Sequence, residues 1–296
     1  MKEVLPAETI SEASFARRVF LDPNFRPEGF FVAKNEAGEI CGFLLSIMTL
    51  DFVENSDSEQ KGWINLFAVV AGCRKIGLGS KLFEVAESRL KSKGASCVLI
   101  SPYPQGYWTP GIDESLYPEA LSLLKKRDYK TTSRPLSMSV VLDSNWKTPT
   151  WAMERMLKAE ESGVQIEAFS PIHTSALLGF LSREFPGDWE RHLKETIRDI
   201  LSGMRPFEEI QMVFDRNELI GFAQSEGERF GPFGVAQSQR GKGIGAILMF
   251  RTLHKMQSRG LSKAWFMWTN DSTADRLYIP AGFKETRRFA VFKKTF

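Results

Sequence analysis

Gln239-Arg240-Gly241-Lys242-Gly243-Ile244-Gly245-Ala246 follows an apolar stretch, Phe230-Gly231-Pro232-Phe233-Gly234-Val235, and precedes a helical segment that runs to Gly260. Strand, glycine turn and helix in that order build an anion site. Glycines let the backbone approach a ligand closely, and the first turn of the helix points unpaired N–H groups at it. The helix dipole favours phosphate there, and Arg240 and Lys242 add formal charge at the rim. The mononucleotide loop G-x-x-x-x-G-K-[ST] does not occur in the sequence, and the dinucleotide spacing is met only in its relaxed form, Gly241, Gly243 and Ala246. What remains is R-x-x-G-x-G, carried by Arg240, Gly243 and Gly245.

The same pattern occurs a second time, in Cys73-Arg74-Lys75-Ile76-Gly77-Leu78-Gly79-Ser80. Arg240 minus Arg74, Gly243 minus Gly77 and Gly260 minus Gly94 each give 166. The preceding strands align at that offset, Leu66-Phe67-Ala68-Val69 with Pro232-Phe233-Gly234-Val235, and so do residues 97–101 with 263–267. The chain is therefore read as an internal duplication. The expected division is an N-terminal domain over 1–143, a linker and helix over 144–163, and a C-terminal domain over 164–296.

The repeated turn, with the closure Tyr278-Ile279-Pro280-Ala281-Gly282-Phe283 placed 37 residues beyond Gly245, resembles the GNAT superfamily of acyl-CoA-dependent N-acetyltransferases. The resemblance covers nearly all of both halves, although the first strand of the N-terminal half is not evident. It implies an α/β (α+β) fold: two tandem domains, each a mixed, mostly antiparallel sheet flanked by helices on both faces. It also implies acetyl-CoA, or another short acyl-CoA, as cofactor. The residues it assigns to the cofactor in the second half are Phe233, Gly234, Val235, Arg240, Gly241, Lys242, Gly243, Ile244, Gly245 and Ala246. The family often has Asn seven residues before the tyrosine. That place is Asp271 in this chain, with Asn270 one earlier, so both are candidates. Val69, Arg74, Gly77 and Gly79 are the first-half equivalents.

Acetyl transfer to an amine needs an anchored donor, a polarised thioester carbonyl and a route for protons. The family splays its fourth strand from the fifth, which frees backbone donors. Gly231-Pro232-Phe233-Gly234 suits a bulged, gapped ladder, and the N–H near Val235 becomes a candidate oxyanion donor. Tyr278 matches the family's general acid, a phenol that stays protonated at neutral pH; a packed core tyrosine is the other reading. Glu226 or Glu228, just before the gapped strand, is a candidate base, though each also reads as a solvated loop carboxylate. In the first half, at an offset of 154, Leu124 stands where Tyr278 stands, and Asp128-Tyr129 replaces Gly-Phe. That half is expected to be non-catalytic. It also carries 12 extra residues, mostly around Pro102-Tyr103-Pro104-Gln105-Gly106-Tyr107-Trp108-Thr109-Pro110-Gly111, a loop that suits either a wall of the acceptor pocket or packing onto the other domain. Phe185-Pro186-Gly187-Asp188-Trp189 reads as a substrate-contacting turn or as a helix entry capped by Asp188.

Composition sets the outer limits. With 296 residues, 43% hydrophobic content and seven tryptophans, two cores can be filled. A net charge of +3, with basic residues scattered among acids, argues against nucleic acid as a partner. Cys41, Cys73 and Cys97 form no C-x-x-C and fit reduced thiols in a cytoplasmic protein. The N-terminus has no signal-peptide apolar core, and the longest apolar run, 41–50, is about half a membrane span. His173, His192 and His254 show no ligand spacing, so packing or surface roles are expected and no metal. The implied partner is a small-molecule primary amine, with no membrane, and the chain a monomer or homodimer. A non-enzymatic acyl-CoA sensor is the alternative.

Periodicity places a helix over 9–20, a hairpin of strands 30–33 and 40–47 around Gly38, and an exposed loop over 51–61. Leu78, Leu82, Val85 and Ala86 mark one buried helix face. In the second half, helices are expected over 150–161, 172–182 and 188–202, and a hairpin turns at Arg216-Asn217. The last strand, 283–292, is expected to finish the second sheet.

Overall fold

The structure is a computed structural model that describes residues 4–49 and 60–296, apart from the side chain of Asp188. Most of the expected loop over 51–61 and the expected Asp188 cap lie outside the described residues. A short helix α1 (Glu12–Phe15) starts where Ser11 and Ser14 exchange side-chain hydrogen bonds to each other's amides, and one wider π turn (Ala16–Phe20) extends it. The helix expected over 9–20 is thus real only from residue 12. Strands β1 (Phe30–Lys34) and β2 (Ile40–Met48) form the expected hairpin, and β3 (Lys61–Val69) pairs with β2. Helix α2 (Leu78–Ser92) buries Leu82, Phe83, Ala86 and Leu90. Val85, expected on that face, is 39% exposed, because the buried stripe runs through residue 83 and turns 85 outward. Then come β4 (Cys97–Ile100), β5 (Ile112–Asp113), α3 (Pro118–Lys126), β6 (Lys130–Ser133) and β7 (Leu136–Val141).

The second half runs α4 (Thr150–Glu161), β8 (Val164–Ala168), α5 (Thr174–Glu184), α6 (Asp188–Leu201), β9 (Ile210–Asp215), β10 (Glu218–Glu226) and β11 (Arg229–Val235). It ends with α7 (Ile244–Ser258), β12 (Lys263–Thr269), α8 (Asp271–Thr273) and β13 (Lys284–Thr295). The chain divides into two compact units, Met1–Leu136 with Arg287–Phe296, and Ser137–Thr286. Both boundaries differ from the expected 1–143 and 164–296. The cause is a pair of strands. β13 inserts between β4 and β6 of the first unit, with Phe292 opposite Ile100 on one side and Thr131 on the other. Phe289, Val291 and Phe292 are apolar and buried there, so burial in the first core decides the assignment. Conversely, β7 neighbours β12 in the second unit, where Leu142 donates its amide to Ser262 and Ser137 Oγ donates to the Met267 carbonyl. The expectation that 283–292 closes the second sheet is therefore corrected.

In the first unit the strand order is β1-β2-β3-β4-β13, and in the second β7-β12-β11-β10-β9-β8. The β3–β4 and β11–β12 pairs are parallel, while β1–β2, β2–β3, β4–β13, β8–β9, β9–β10 and β10–β11 are antiparallel. The edge strand β8 has no counterpart among the described residues of the first unit, consistent with the missing strand in the sequence. In the second unit, neighbouring residues of β10 face opposite ways. Phe222 packs on Phe180 of α5, while a side chain at Gly221 would approach Leu248 of α7. Helices therefore cover both faces. Among the described residues no helix is long and apolar enough to cross a membrane. Cys41, Cys73 and Cys97 form no disulfide.

Candidate active site

In the second unit, β11 is kinked out of its ladder at the expected place. Ala223 faces Phe233 and Ser225 faces Phe230, so Gly231 and Pro232 together oppose the single residue Gln224. That is a β-bulge. On its other edge β11 meets β12 at Arg229↔Trp265, where the Trp265 amide donates to the Glu228 carbonyl at 3.0 Å. Beyond that point the edge of 230–235 facing β12 has no ladder partner among the described residues. The Ala236 amide donates back to Ile220 at 2.8 Å. By the alternation of a strand, the Val235 amide points the other way, into the gap. The first unit repeats this: a bulge at Asn65, which is 231 minus 166, and Val70 donating to Cys41 at 2.9 Å, which turns the Val69 amide into the corresponding gap.

The glycine turn follows. Gly241 and Gly243 have φ of +81° and +85°, values that L side chains adopt at a cost of about 1–2 kcal/mol. Gly243 is the residue before α7, and no side chain caps that helix. The amides of Arg240 and Ala246 are used within the turn, to Gln237 and Gly243. Those of 241–245 donate to no turn carbonyl among the described residues, which leaves five amides for an anion. Arg240 Nε lies 3.4 Å from the Val235 carbonyl, and Arg74 Nε lies 3.0 Å from Val69 in the first unit. This arginine pins the turn to the strand end instead of standing at the rim. Lys242 Nζ is held by Gln239 Oε1 at 2.8 Å. Phe233 and Val235 face the first turn of α7, within 3.9 Å of where a side chain at Gly245 would begin, and the Phe185 ring packs directly on Gly234.

Tyr278 ends a π turn, Ala274–Tyr278, instead of the regular helix expected. It is 5% exposed, and its ring sits 4.3 Å from Phe266, 5.4 Å from Phe283 and 6.3 Å from Phe233, centroid to centroid. Burial pushes its pKa up, so the phenol is protonated at neutral pH. Its ring is packed among aromatics and neighbours the gapped strand through Phe233. Asn270 caps α8, its Oδ1 accepting from the Thr273 amide at 2.9 Å, which occupies that side chain in the fold. Asp271 is the first residue of α8 and exposed.

The two carboxylates separate. Glu228 accepts from Ser262 Oγ at 2.8 Å and lies 3.4 Å from Lys263 Nζ, so it ties the hairpin to β12. Glu226 pairs in register with Arg229 at the turn end of the hairpin and is half-buried. The turn beside it is held by buried Glu209, which bonds Arg205, Arg259 and the Gly227 amide.

Sequence reasoning missed a polar cluster beside the bulge. His192 of α6 is half-buried, and desolvation, with Arg229 adding to it, lowers its pKa to about 4, although Glu226 opposes the shift. The imidazole is therefore neutral at pH 7. Gln224, opposite the bulge, lies 3.4 Å from His192 Nε2 and donates to Thr196 Oγ1 at 2.7 Å. Gln224 Oε1 and Ser225 Oγ are buried with no hydrogen-bond partner among the described residues. The signal was legible: Gln224-Ser225-Glu226 is a polar run ending an otherwise apolar strand. Phe185 stacks on Trp189 at 4.9 Å, and both rings touch Phe222, so the turn singled out between α5 and α6 is an aromatic wall on the same sheet face as Gln224.

The first unit keeps the turn, with Leu124 where the second has Tyr278. Lys75, at φ +64°, takes the place of Gly241, and Gly77 at +88° precedes α2. Leu124 is fully buried, with no proton to give. The loop 102–111 is bonded to its own unit. Tyr103 donates to Asp22, Asn65 of the bulge donates to the Gly106 carbonyl at 3.1 Å, and Arg18 lies over Trp108 at 4.7 Å. The loop is thus bonded to the bulge that the second unit leaves uncovered by any such loop.

Comparison with known proteins agrees with this geometry. The model of the acetyltransferase (GNAT) family matches residues 4–103 and 174–283, and the chain belongs to that family twice over. A search of curated proteins found no match. Among solved structures, the fold is shared with the GCN5-related glucosamine N-acetyltransferase region of a fungal multi-domain GH3 β-N-acetylglucosaminidase (TM-score 0.75, 20% identity). That match covers 95% of this chain, which spans 36% of the fungal protein. A GCN5-related N-acetyltransferase from Sphaerobacter thermophilus gives TM-score 0.70 at 18% identity over 99% of this chain and 89% of that one. A tandem GNAT protein from the clavulanic acid biosynthesis pathway gives 0.56 at 12% identity over 92% and 85%.

Proposed function

We propose that the second unit transfers an acetyl group from acetyl-CoA to a primary amine of a small molecule by direct attack in a ternary complex. The observation that carries this reading is the succession of the Gly231–Pro232 bulge and the gap-facing Val235 amide on one strand and, in the turn after it, the amides of 241–245, which donate to no turn carbonyl among the described residues. Those amides suit the pyrophosphate of the donor, and the Val235 amide suits the thioester oxygen. Tyr278 protonates the departing thiolate. Glu226, not Glu228, takes the amine proton, directly or through water, because Glu228 is already committed to Ser262 and Lys263. Gln224 Oε1 and Ser225 Oγ offer buried acceptors to a ligand bearing N–H or O–H groups. The first unit is a non-catalytic copy that keeps the phosphate turn. Three cysteines without a disulfide fit a cytoplasmic setting.

The direct test is an acetyl-CoA assay against a panel of amines, aminosugars among them, that follows free thiol release. Release with no amine in the panel, beside tight acetyl-CoA binding, would move the chain to the sensor reading. Gly245→Val leaves the backbone unstrained, since Gly245 is not at positive φ and has no neighbour closer than 3.8 Å to a new side chain. It is expected to weaken acetyl-CoA binding by roughly 100-fold, the size of two lost hydrogen bonds to a charged group. Undiminished affinity in calorimetry sinks the pyrophosphate assignment. Gly79→Val, the first unit's counterpart of Gly245→Val, is expected to leave most turnover in place. Complete loss there would put the active site in the first unit.

A further inference from the structure

Resting on the acyl-CoA reading of the second unit, we infer that Arg155 of α4 pairs with the pyrophosphate of the donor. Helix α4 lies outside both segments that match the family, and it packs on α7 and β8 of its own unit. The Arg155 side chain crosses the glycine turn. A side chain begun at Gly243 would lie 2.6 Å from Arg155 Cδ, 3.1 Å from Nε and 3.3 Å from Nη1. Gly243 is therefore glycine twice over, by its φ of +85° and by the arginine above it.

The charge of that arginine is the telling part. Arg155 is exposed and has no carboxylate partner among the described residues; its recorded contact is the Trp151 ring, 5.5 Å from its guanidinium carbon. It stands at the N-terminus of a 15-residue helix whose first amides already carry partial positive charge. A cation there is repelled unless an anion sits with it. A phosphate accepting from the turn amides and from a planar guanidinium resolves the conflict, and arginine is suited to such a fork. The first unit serves as an internal control. At Gly77, the equivalent position, nothing among the described residues lies within 4 Å of where a side chain would begin. The added cation therefore distinguishes the unit read as catalytic from its copy.

The test is calorimetry on the full chain with three probes: CoA, dephospho-CoA and S-acetylpantetheine. The second unit's site is identified as the one that Gly245→Val removes. Arg155→Met keeps the stem over Gly243 and deletes the charge. It is expected to weaken CoA and dephospho-CoA alike by about 10- to 100-fold, the range for a hydrogen bond to a charged group, and to leave S-acetylpantetheine unchanged. Arg155→Lys should recover part of the loss. Unchanged CoA affinity in Arg155→Met overturns the inference, as does an equal loss for S-acetylpantetheine. A loss with CoA that disappears with dephospho-CoA overturns it too, moving the contact to the 3′-phosphate. If the unaltered protein binds no CoA at all, the acyl-CoA reading itself falls, which separates the two failures.

Discussion

Tyr278→Phe lowers kcat by about 10²–10⁴-fold and leaves acetyl-CoA affinity nearly unchanged, the range expected for one positioned acid acting only as charge develops on sulfur. The surroundings make this substitution unusually clean. The ring is fixed by Phe266, Phe283 and Phe233, and phenylalanine keeps all three contacts. No hydrogen bond to the Tyr278 hydroxyl is recorded among the described residues, so its removal orphans no partner. The melting temperature should therefore hold while turnover collapses. An unchanged kcat removes the acid from the mechanism and leaves Tyr278 as a packed aromatic. A matching fall in melting temperature would mean that the loss is one of folding.

Deleting Arg287–Phe296 unfolds the first unit, although those residues follow the whole of the second in sequence. Arg287 bonds Asp113 at 2.7 Å and Glu8 at 2.7 and 3.1 Å. Asp113 is 2% exposed, and burial alone would raise its pKa; the Arg287 hydrogen bond and the Ser115 and Leu116 contacts hold it below the usual value. Without Arg287 a carboxylate is left buried and uncompensated, which costs about 3–5 kcal/mol in comparable sites. The burial of Phe289, Val291 and Phe292, about 1.5–3 kcal/mol each, is removed with the segment. Together these approach the whole stability of a domain, about 5–15 kcal/mol. Hydrogen exchange should show α2 and β2 unprotected in the truncated chain. Retained protection there would mean that the first unit folds without β13.

Much of this was legible because it depends on residues near one another in sequence. Gly243 and Gly77 reported the left-handed turns, and Gly231-Pro232 reported the bulge, since each reflects local backbone demands. The destination of β13 was not legible. Lys284–Thr295 reads as a strand in either sheet, and only the cores it meets, through Phe292 and through the Arg287 pairs, decide between them. The side-chain site was divided in the same way. Tyr278 could be found by its distance from the glycine turn, whereas Arg155 reaches that turn from α4, and His192 of α6 reaches Gln224 of β10, only after folding. Glu226 and Glu228 were indistinguishable until Ser262 and Lys263 were seen to hold the latter.

The placement of β13 also orders events during synthesis. Arg287 leaves the ribosome 151 residues after Leu136, the last residue of the first unit's N-terminal part. At translation rates of about 5–20 residues per second, that is a delay of roughly 8–30 s. Throughout it β4 and β6 present unpaired edges, the kind that recruit foreign strands. The N-terminal copy, though made first, is the one that must finish last, and a chaperone that shields its open sheet would act on a nascent chain whose second unit is already emerging.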